Sequence, residues 1–313
     1  MSSEITGVPG HSKGDPEKMT QDAITREPQR YQLRNRYVFD GKLEMKTGLH
    51  IGGGKVTLSY TDSPIVTTPD GLPFIPGSSF KGTLRSTIEK LIATLPSDLG
   101  LHSCGLPGED VPQESCPTAR QRQVAQRRRN NIAESLKIME KERQQLCQTC
   151  QLFGSPFAAA RITINDLYLI NDEWSGATQI RDGVAIDRDS DTAKSNAKYD
   201  FEVVPSTTVF ALHLVLENAT PQDLQLISIG LGEFTSGFGG VGGLRSRGLG
   251  ACILNDLEIH YLDLESGDDT ERRQRLQQYL LLREKGLMPI AKKDVPAFFA
   301  QQINTLFAQQ IVG

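Results

Sequence analysis

The feature that most constrains this chain is an order of elements, strand then helix then strand, that occurs twice. The segment YVFDGKLEMKT, from Tyr37, alternates. Phe39, Gly41, Leu43 and Met45 fall on one side and Val38, Asp40, Lys42, Glu44 and Lys46 on the other, the period of a half-buried strand. SSFKGTLRSTIEKLIATLPSD instead repeats every three or four residues, through Phe80, Leu84, Ile88, Leu91 and Leu95. That is the period of an amphipathic helix, with Ser78 or Ser79 placed to cap it and Pro96 to stop it. RITINDLYLI supplies the closing strand. TTVFALHLVLEN opens the second unit as an apolar strand. PQDLQLISIGLGEF follows, with Pro221 in the first turn and an apolar face of Leu224, Ile227, Leu231 and Phe234. CILNDLEIHYL closes it. Two such units predict an α+β fold with a ferredoxin-like palm, a sheet with helices on one face.

The stretches between these elements are too long for a bare domain of that kind, so function is expected in them. Residues 1–36 form a polar arm, 37–267 the main domain and 268–313 a C-terminal helical extension, its two helices arranged around Pro289 and Pro296. Within the main domain, 97–153 is an insertion holding four of the five cysteines and the basic run ARQRQVAQRRRNN. Residues 176–206 are polar and turn-rich, and read as an extended hairpin. Hydrophobic residues make up 38% and charged residues 23%, enough for a sizeable core in a soluble protein. The net charge of -4 argues against a non-specific polyanion binder but leaves local basic grooves open. No apolar run reaches the ~20 residues of a membrane span. The N-terminus has no apolar signal region, which predicts a reducing, cytoplasmic compartment without structural disulfides.

Cys104, Cys116, Cys147 and Cys150 give a wide pair, then a C-x-x-C pair. Four thiolates in one insertion suit a tetrahedral structural Zn²⁺; the competing reading is four ordinary thiols, and His102 is an alternative ligand to Cys104. Cys252 lies in an apolar strand and reads as core. GFGGVG, residues 237–242, matches a dinucleotide-binding spacing but follows a helix rather than a strand. The longer stretch SGFGGVGGLRSRGLG is better read as a backbone cradle for a polyanion, with Arg245 and Arg247 adding charge. Ser78, Ser79, Lys81 and Arg85 place free amides and two cations near a helix N-terminus. His50 lies in a glycine cluster, GLHIGGGK, that ends in Lys55; His213 alternates into an apolar strand as a satisfied residue. No nucleophile–histidine–acid order and no G-x-S-x-G elbow is present. In LSYTDSPIV, Asp62 is either an ordinary turn aspartate or a reacting group.

TGLHIGGG, DSPIV, PFIPGSSFKGTLRS, CQTCQLFGSPF, VAIDRDSDTAKSNAKYDFEVVPSTTVF and GGVGGLRSRGLG occur in an order that resembles the backbone RAMP subunits of type III CRISPR–Cas effector complexes. The resemblance spans roughly Tyr37 to Tyr261. It implies an RRM-like palm, subunits stacked along a guide RNA, and a zinc-bearing insertion. It implies that PGSSFKGTLR and GGLRSRG hold the guide, with His50, Lys55, Ser78, Ser79, Lys81, Arg85, Gly243, Arg245 and Arg247 in the RNA-contacting set. The hairpin is then a thumb that displaces a base pair of the guide–target duplex, with Val184 and Ile186 as the wedge and Arg181 and Arg188 on phosphates. The acid before SP, here Asp62, is then the residue that cuts target RNA. Cleavage is expected to need Mg²⁺ or another divalent ion and to proceed by attack of the ribose 2′-hydroxyl on the adjacent phosphate. Two other readings stand beside it: a catalytically inert structural subunit of the same complex, and an endoribonuclease that processes guide RNA. Partners on the leading reading are guide RNA, target RNA and the other effector subunits, with no membrane.

Overall fold

Strand β1 (Asn35–Met45) is the centre of the sheet, and its alternation is what puts it there. Phe39, Leu43 and Met45 are fully buried on one side. The computed structural model describes residues 32–54, 61–105, 115–170, 177–186, 189 and 192–308. Lys55 and Arg188 lie outside the described residues, as do residues 1–31 of the N-terminal arm and the side chain of Ile186.

After β1 the chain runs through helix α1 (Gly77–Ile92) and into the insertion, whose helices are α2 (Gln121–Asn130), α3 (Ser135–Gln144) and α4 (Gln148–Phe153). It returns as β2 (Ile162–Ile164), projects as the hairpin β3 (Gln179–Ile186) and β4 (Ala193–Val203), then re-enters the sheet as β5 (Val209–Glu217). Helix α5 (Pro221–Thr235) leads to β6 (Cys252–Asp263), then α6 (Asp269–Leu282), β7 (Met288–Ile290) and α7 (Val295–Ala308). The five-stranded sheet has the order β2-β5-β1-β6-β7, and every neighbouring pair is antiparallel. The hairpin β3–β4 is a separate two-stranded sheet.

Helices α1 and α5 share one core with the inward side of the sheet. Phe80, Leu84, Ile88 and Ile92 of α1 and Leu226, Ile227, Leu231 and Phe234 of α5 are buried there with Phe39, Leu43, Leu212 and Leu214. Each such side chain contributes about 1.5–3 kcal/mol by leaving water. The stripe expected from the sequence runs on through Leu91 to Leu95, but helix α1 ends on the buried Ile92, and Leu91 and Leu95 are half-buried. The two helices approach closely because position 230 is glycine: a Cβ there would lie 2.6 Å from Ile88 Cγ1.

The sheet keeps its apolar side inward by a bulge. Asp40 pairs with Glu258 but Lys42 pairs with Asn255, and Asp256 adopts a positive φ of 53°. The extra residue lets Leu254 and Leu257 both face the core.

Two details differ from the sequence expectations. Helix α1 is not capped by Ser78 or Ser79. Gly77 N–H donates to Asp166 Oδ1 at 2.7 Å, so the cap arrives from the loop after β2. Pro289 is not a break between two helices; it sits in β7, opposite His260 on the sheet edge. An edge strand accommodates proline because its outward N–H has no partner to lose. Helix α7 then packs on α5 and buries Val295, Phe299 and Leu306 in the main core, so the C-terminal segment completes that core.

Candidate functional site

Three segments converge at the base of the hairpin: the loop after β1, the loop bearing Asp62, and the glycine loop after α5. Leu49 and Val204 exchange backbone hydrogen bonds, and Gly52 bridges Ile65. Ser63 bridges Phe201 of β4, with Glu202 N–H donating to Ser63 O at 3.0 Å. Phe201, Val203 and Leu249 form a small apolar cluster beneath, flanked by Tyr199 and Leu244.

Asp62 is exposed at this junction. Its N–H donates to Asp200 Oδ1 at 2.6 Å, and Asp200 N–H donates to Asp62 Oδ2 at 3.2 Å. Glu202 accepts from Ile65 N–H at 3.1 Å and from the Thr178 hydroxyl at 2.6 Å. The Asp62 loop is therefore fastened to β4 by backbone and carboxylate together.

His50 is buried, with 8% exposure. Its Nδ1 lies 2.7 Å from Glu202 O. A carbonyl only accepts, so Nδ1 carries a proton, and Nε2 faces the Ser63 hydroxyl at 3.3 Å. Both ring nitrogens are engaged inside the protein. His50 thus reaches the site through Ser63, the residue after Asp62, rather than from the surface.

The glycine loop needs its glycines. Gly242 has a φ of 85°, and a Cβ there would lie 2.5 Å from His50 O. The same carbonyl accepts from Gly243 N–H at 2.9 Å. Arg245 and Arg247 are exposed; Arg245 donates to Gly240 O at 3.3 Å and Arg247 to the Tyr199 hydroxyl. The loop thus presents two cations beside the Asp62 junction. On the hairpin, Arg181 and Val184 are both exposed on β3.

The N-terminus of α1 is arranged differently. Ser78 is exposed and Ser79 half-buried. Lys81 donates to Ile162 O at 3.2 Å, and burial, with a smaller contribution from Arg85, pulls its pKa below the usual lysine range. Arg85 turns toward the insertion. It donates to Glu89 Oε1 at 2.8 Å, Gly154 O at 3.4 Å and Cys150 Sγ at 3.5 Å.

Cys104, Cys116, Cys147 and Cys150 come together with their sulfurs all within 4.8 Å of one another. A tetrahedron of thiolates at the zinc–sulfur distance has edges of about 3.8 Å, so the donor set fits that ion. His102 is exposed, its N–H bound to Gln148 Oε1, while Cys104 Sγ lies 3.5 Å from Cys150 Sγ. Hydrogen bonding between Cys104 and Cys116 pushes the Cys104 thiol up and holds Cys116 well below the usual thiol range. Arg120, 8% exposed, braces the insertion by bonding Glu142, Gln145 and Ser115 O. His213 pairs with Asp40 at 2.7 Å across β5 and β1, the satisfied residue that its alternation predicted.

Asp200, Glu202, Ser63 and Tyr199 complete the junction and were not singled out from the sequence. The available signal was YDFEV, where Asp200 and Glu202 fall two apart in an alternating segment and so share a strand face.

Comparison with known proteins agrees with this architecture. The RAMP superfamily model matches residues 42–253. A protein of Enterococcus italicus named CRISPR system Cms endoribonuclease Csm3 is 51% identical over 59 residues, 18% of this chain and 28% of that protein. Proteins of the same name from Methanocaldococcus jannaschii and Streptococcus thermophilus are 42% identical over 60 residues and 39% over 67. These matches cover 24% and 30% of those proteins, so under a third of each curated relative is aligned. No helix among the described residues is long and apolar enough to cross a membrane. With residues 42–253 of its 313 matched, this chain belongs to the RAMP superfamily.

Proposed function

We propose that this chain is a guide-RNA-binding backbone subunit of a type III CRISPR effector complex, and that it cuts bound target RNA at Asp62. The observation that carries the reading is the junction itself. An exposed aspartate is held to the hairpin by two backbone-to-carboxylate hydrogen bonds, and the glycine loop, which bears two exposed arginines, reaches the same strand through Arg247 and Tyr199. The endoribonuclease name of the aligned relatives supports it. The strand order β2-β5-β1-β6 within the antiparallel sheet supports a ferredoxin-like palm, with the hairpin as thumb.

RNA brings its own nucleophile, the ribose 2′-hydroxyl. The protein has to hold that oxygen in line with the scissile P–O5′ bond. In this reading Arg245 and Arg247 with the amides of the glycine loop fix the guide backbone, as do Ser78, Ser79 and Lys81. Val184 and Ile186 on the hairpin unstack a target base, so that its ribose rotates into line. Asp62 accepts the 2′-hydroxyl proton as the oxygen attacks phosphorus. The P–O5′ bond breaks, the departing oxygen takes a proton from water, and the products are a 2′,3′-cyclic phosphate and a 5′-hydroxyl.

Zn²⁺ would be held by Cys104, Cys116, Cys147 and Cys150, where it would supply structure and no step of cleavage. Among the described residues no other group of three His, Cys, Asp or Glu side chains converges. A divalent ion at Asp62 would therefore take further ligands from RNA phosphates, and the steps above are written through the chain's own residues. A bacterial or archaeal effector of this type works in the cytoplasm with other subunits as its partners.

The test compares an assembled complex, loaded with guide and given labelled target, with its Asp62→Ala form. Loss of the cut at this subunit's position supports the reading. Unchanged cutting removes Asp62 from the mechanism, and no cut at this position in the wild-type complex leaves the inert structural subunit. A guide-processing nuclease would need its own base and acid, usually histidine or tyrosine, and the buried His50 does not provide an accessible one.

A further inference from the structure

We propose that Asp200 is a positioning residue for Asp62, tying the cutting carboxylate to the hairpin; this rests on the reading in which Asp62 cuts RNA. The two aspartates are 138 positions apart, yet each carboxylate accepts the other's backbone N–H, at 2.6 and 3.2 Å. An exposed and a half-buried acid brought this close repel unless something compensates. Here the compensation is mutual, because each side chain caps the amide of its neighbour. With Oδ2 fixed on Asp200 N–H, the plane of the Asp62 carboxylate is set, and Oδ1 with it. Asp200 Oδ1 fixes the backbone of Asp62 from the other side.

The surrounding contacts make the tie directional. Ser63, next to Asp62, bridges Phe201, next to Asp200. Glu202 holds Ile65 N–H on one side and, through its carbonyl, His50 on the other. These anchors belong to β4, whereas Pro64 and Val66 bond to Gly53 and Ile51 after β1, so it is Asp62 and Ser63 that take their position from the hairpin strand. A carboxylate that acts on an in-line geometry must be held to about 0.5 Å, and an exposed aspartate on an irregular loop has no such constraint of its own. Asp200 provides it, and provides it from the element that would engage the target.

The chemistry asked of Asp200 is acceptance of a hydrogen bond, not charge. That separates it from a base or a metal ligand. The experiment uses the assembled, guide-loaded complex with wild-type, Asp200→Ala, Asp200→Asn and Asp62→Ala subunits, reading the single-turnover cleavage rate and the target Kd. Asp200→Ala is expected to slow cutting by about tenfold or more, with target Kd within about threefold, the pattern of an interaction lost in the transition state only. Asp200→Asn keeps an Oδ1 acceptor and is expected to restore the rate to within about threefold. The proposal is overturned if Asp200→Ala cuts at the wild-type rate, or loses target binding in step with cutting. It is also overturned if Asp200→Asn is as slow as Asp200→Ala, which would make charge the working property. Wild-type cutting by Asp62→Ala overturns the underlying reading with it. An inactive Asp62→Ala beside an unaffected Asp200→Ala overturns the positioning role alone.

Discussion

The guanidinium of Arg85, on the helix that faces the sheet, lies 3.5 Å from the sulfur of Cys150, in the insertion. The same side chain holds Glu89 and Gly154 O, so one residue joins helix α1, the cysteine cluster and the turn after α4. Four thiolates around a divalent ion leave a net negative charge, and a cation bonded to one sulfur offsets part of it. Arg85→Ala is expected to speed zinc release to a chelator by about tenfold or more, equivalent to the 1.5–3 kcal/mol of a charge-assisted bond. A colorimetric chelator assay on the purified chain reads the rate directly. Arg85→Lys, which keeps the charge, should fall between.

Metal removal should reach the main core. Leu152 and Phe153 lie two and three residues after Cys150, and both are buried with the helices and the sheet. Stripping the ion leaves four clustered thiols that resist common deprotonation, so the insertion loosens where it enters that core. Elemental analysis should give one zinc per chain, Cys116→Ser should lose it, and the melting temperature should fall by about 3 °C, the shift expected for ~2 kcal/mol in a chain this size.

Asp166→Ala removes the distant cap of α1 by taking away the acceptor of Gly77 N–H. The expected loss is about 1 kcal/mol in urea denaturation. Ser78→Ala, on the residue that sequence reading offered as a cap, should change stability by less than about 0.5 kcal/mol.

Gly242→Ala places a Cβ against His50 O at a φ of 85°. The strain is expected to cost about 1–3 kcal/mol. Since His50 O also holds Gly243, the loop should reshape, and guide RNA affinity measured by filter binding should weaken alongside the denaturation midpoint.

Cys252 is fully buried on β6, and burial pushes its thiol up from 9.0 to about 12. A raised folded pKa contributes stability that is complete below the unfolded value and is lost as pH climbs toward the folded one. The contribution should therefore be constant below pH 9 and decline between 9 and about 12, by at most ~1.4 kcal/mol per pH unit. Denaturation at pH 8 and pH 10, compared with Cys252→Val, isolates the slope. Native Cys252 should also resist iodoacetamide at pH 8.

The elements whose side chains repeat were legible before any coordinates. β1, β5, β6, α1 and α5 are set by periods of two or about 3.6, which a single sequence displays. The four cysteines were legible as a group because so few residue types bind zinc. What sequence hid was set by distance along the chain. Asp166 caps a helix that begins 89 positions earlier, and Asp200 meets Asp62 across 138. Direction was hidden as well. Lys81 and Arg85 share a helix face, yet one reaches β2 and the other the cysteines. His50 sits in a glycine cluster that looks exposed, and it is buried because Phe201 stacks edge-on against it, a contact made only when the hairpin closes over the loop.

The hairpin is a sheet of its own, and its attachments at Leu49–Val204 and Ser63–Phe201 lie near one end. From Phe201 out to Ala193 the strand runs about 26 Å at the rise of an extended chain. Such an arm is a lever with its fulcrum beside Asp62. A displacement of several ångströms at the far end arrives at the pivot as a fraction of one, the scale on which a hydrogen bond is made or broken. On the proposed reading, binding energy gathered along the arm would be geared down into fine adjustment of a single carboxylate.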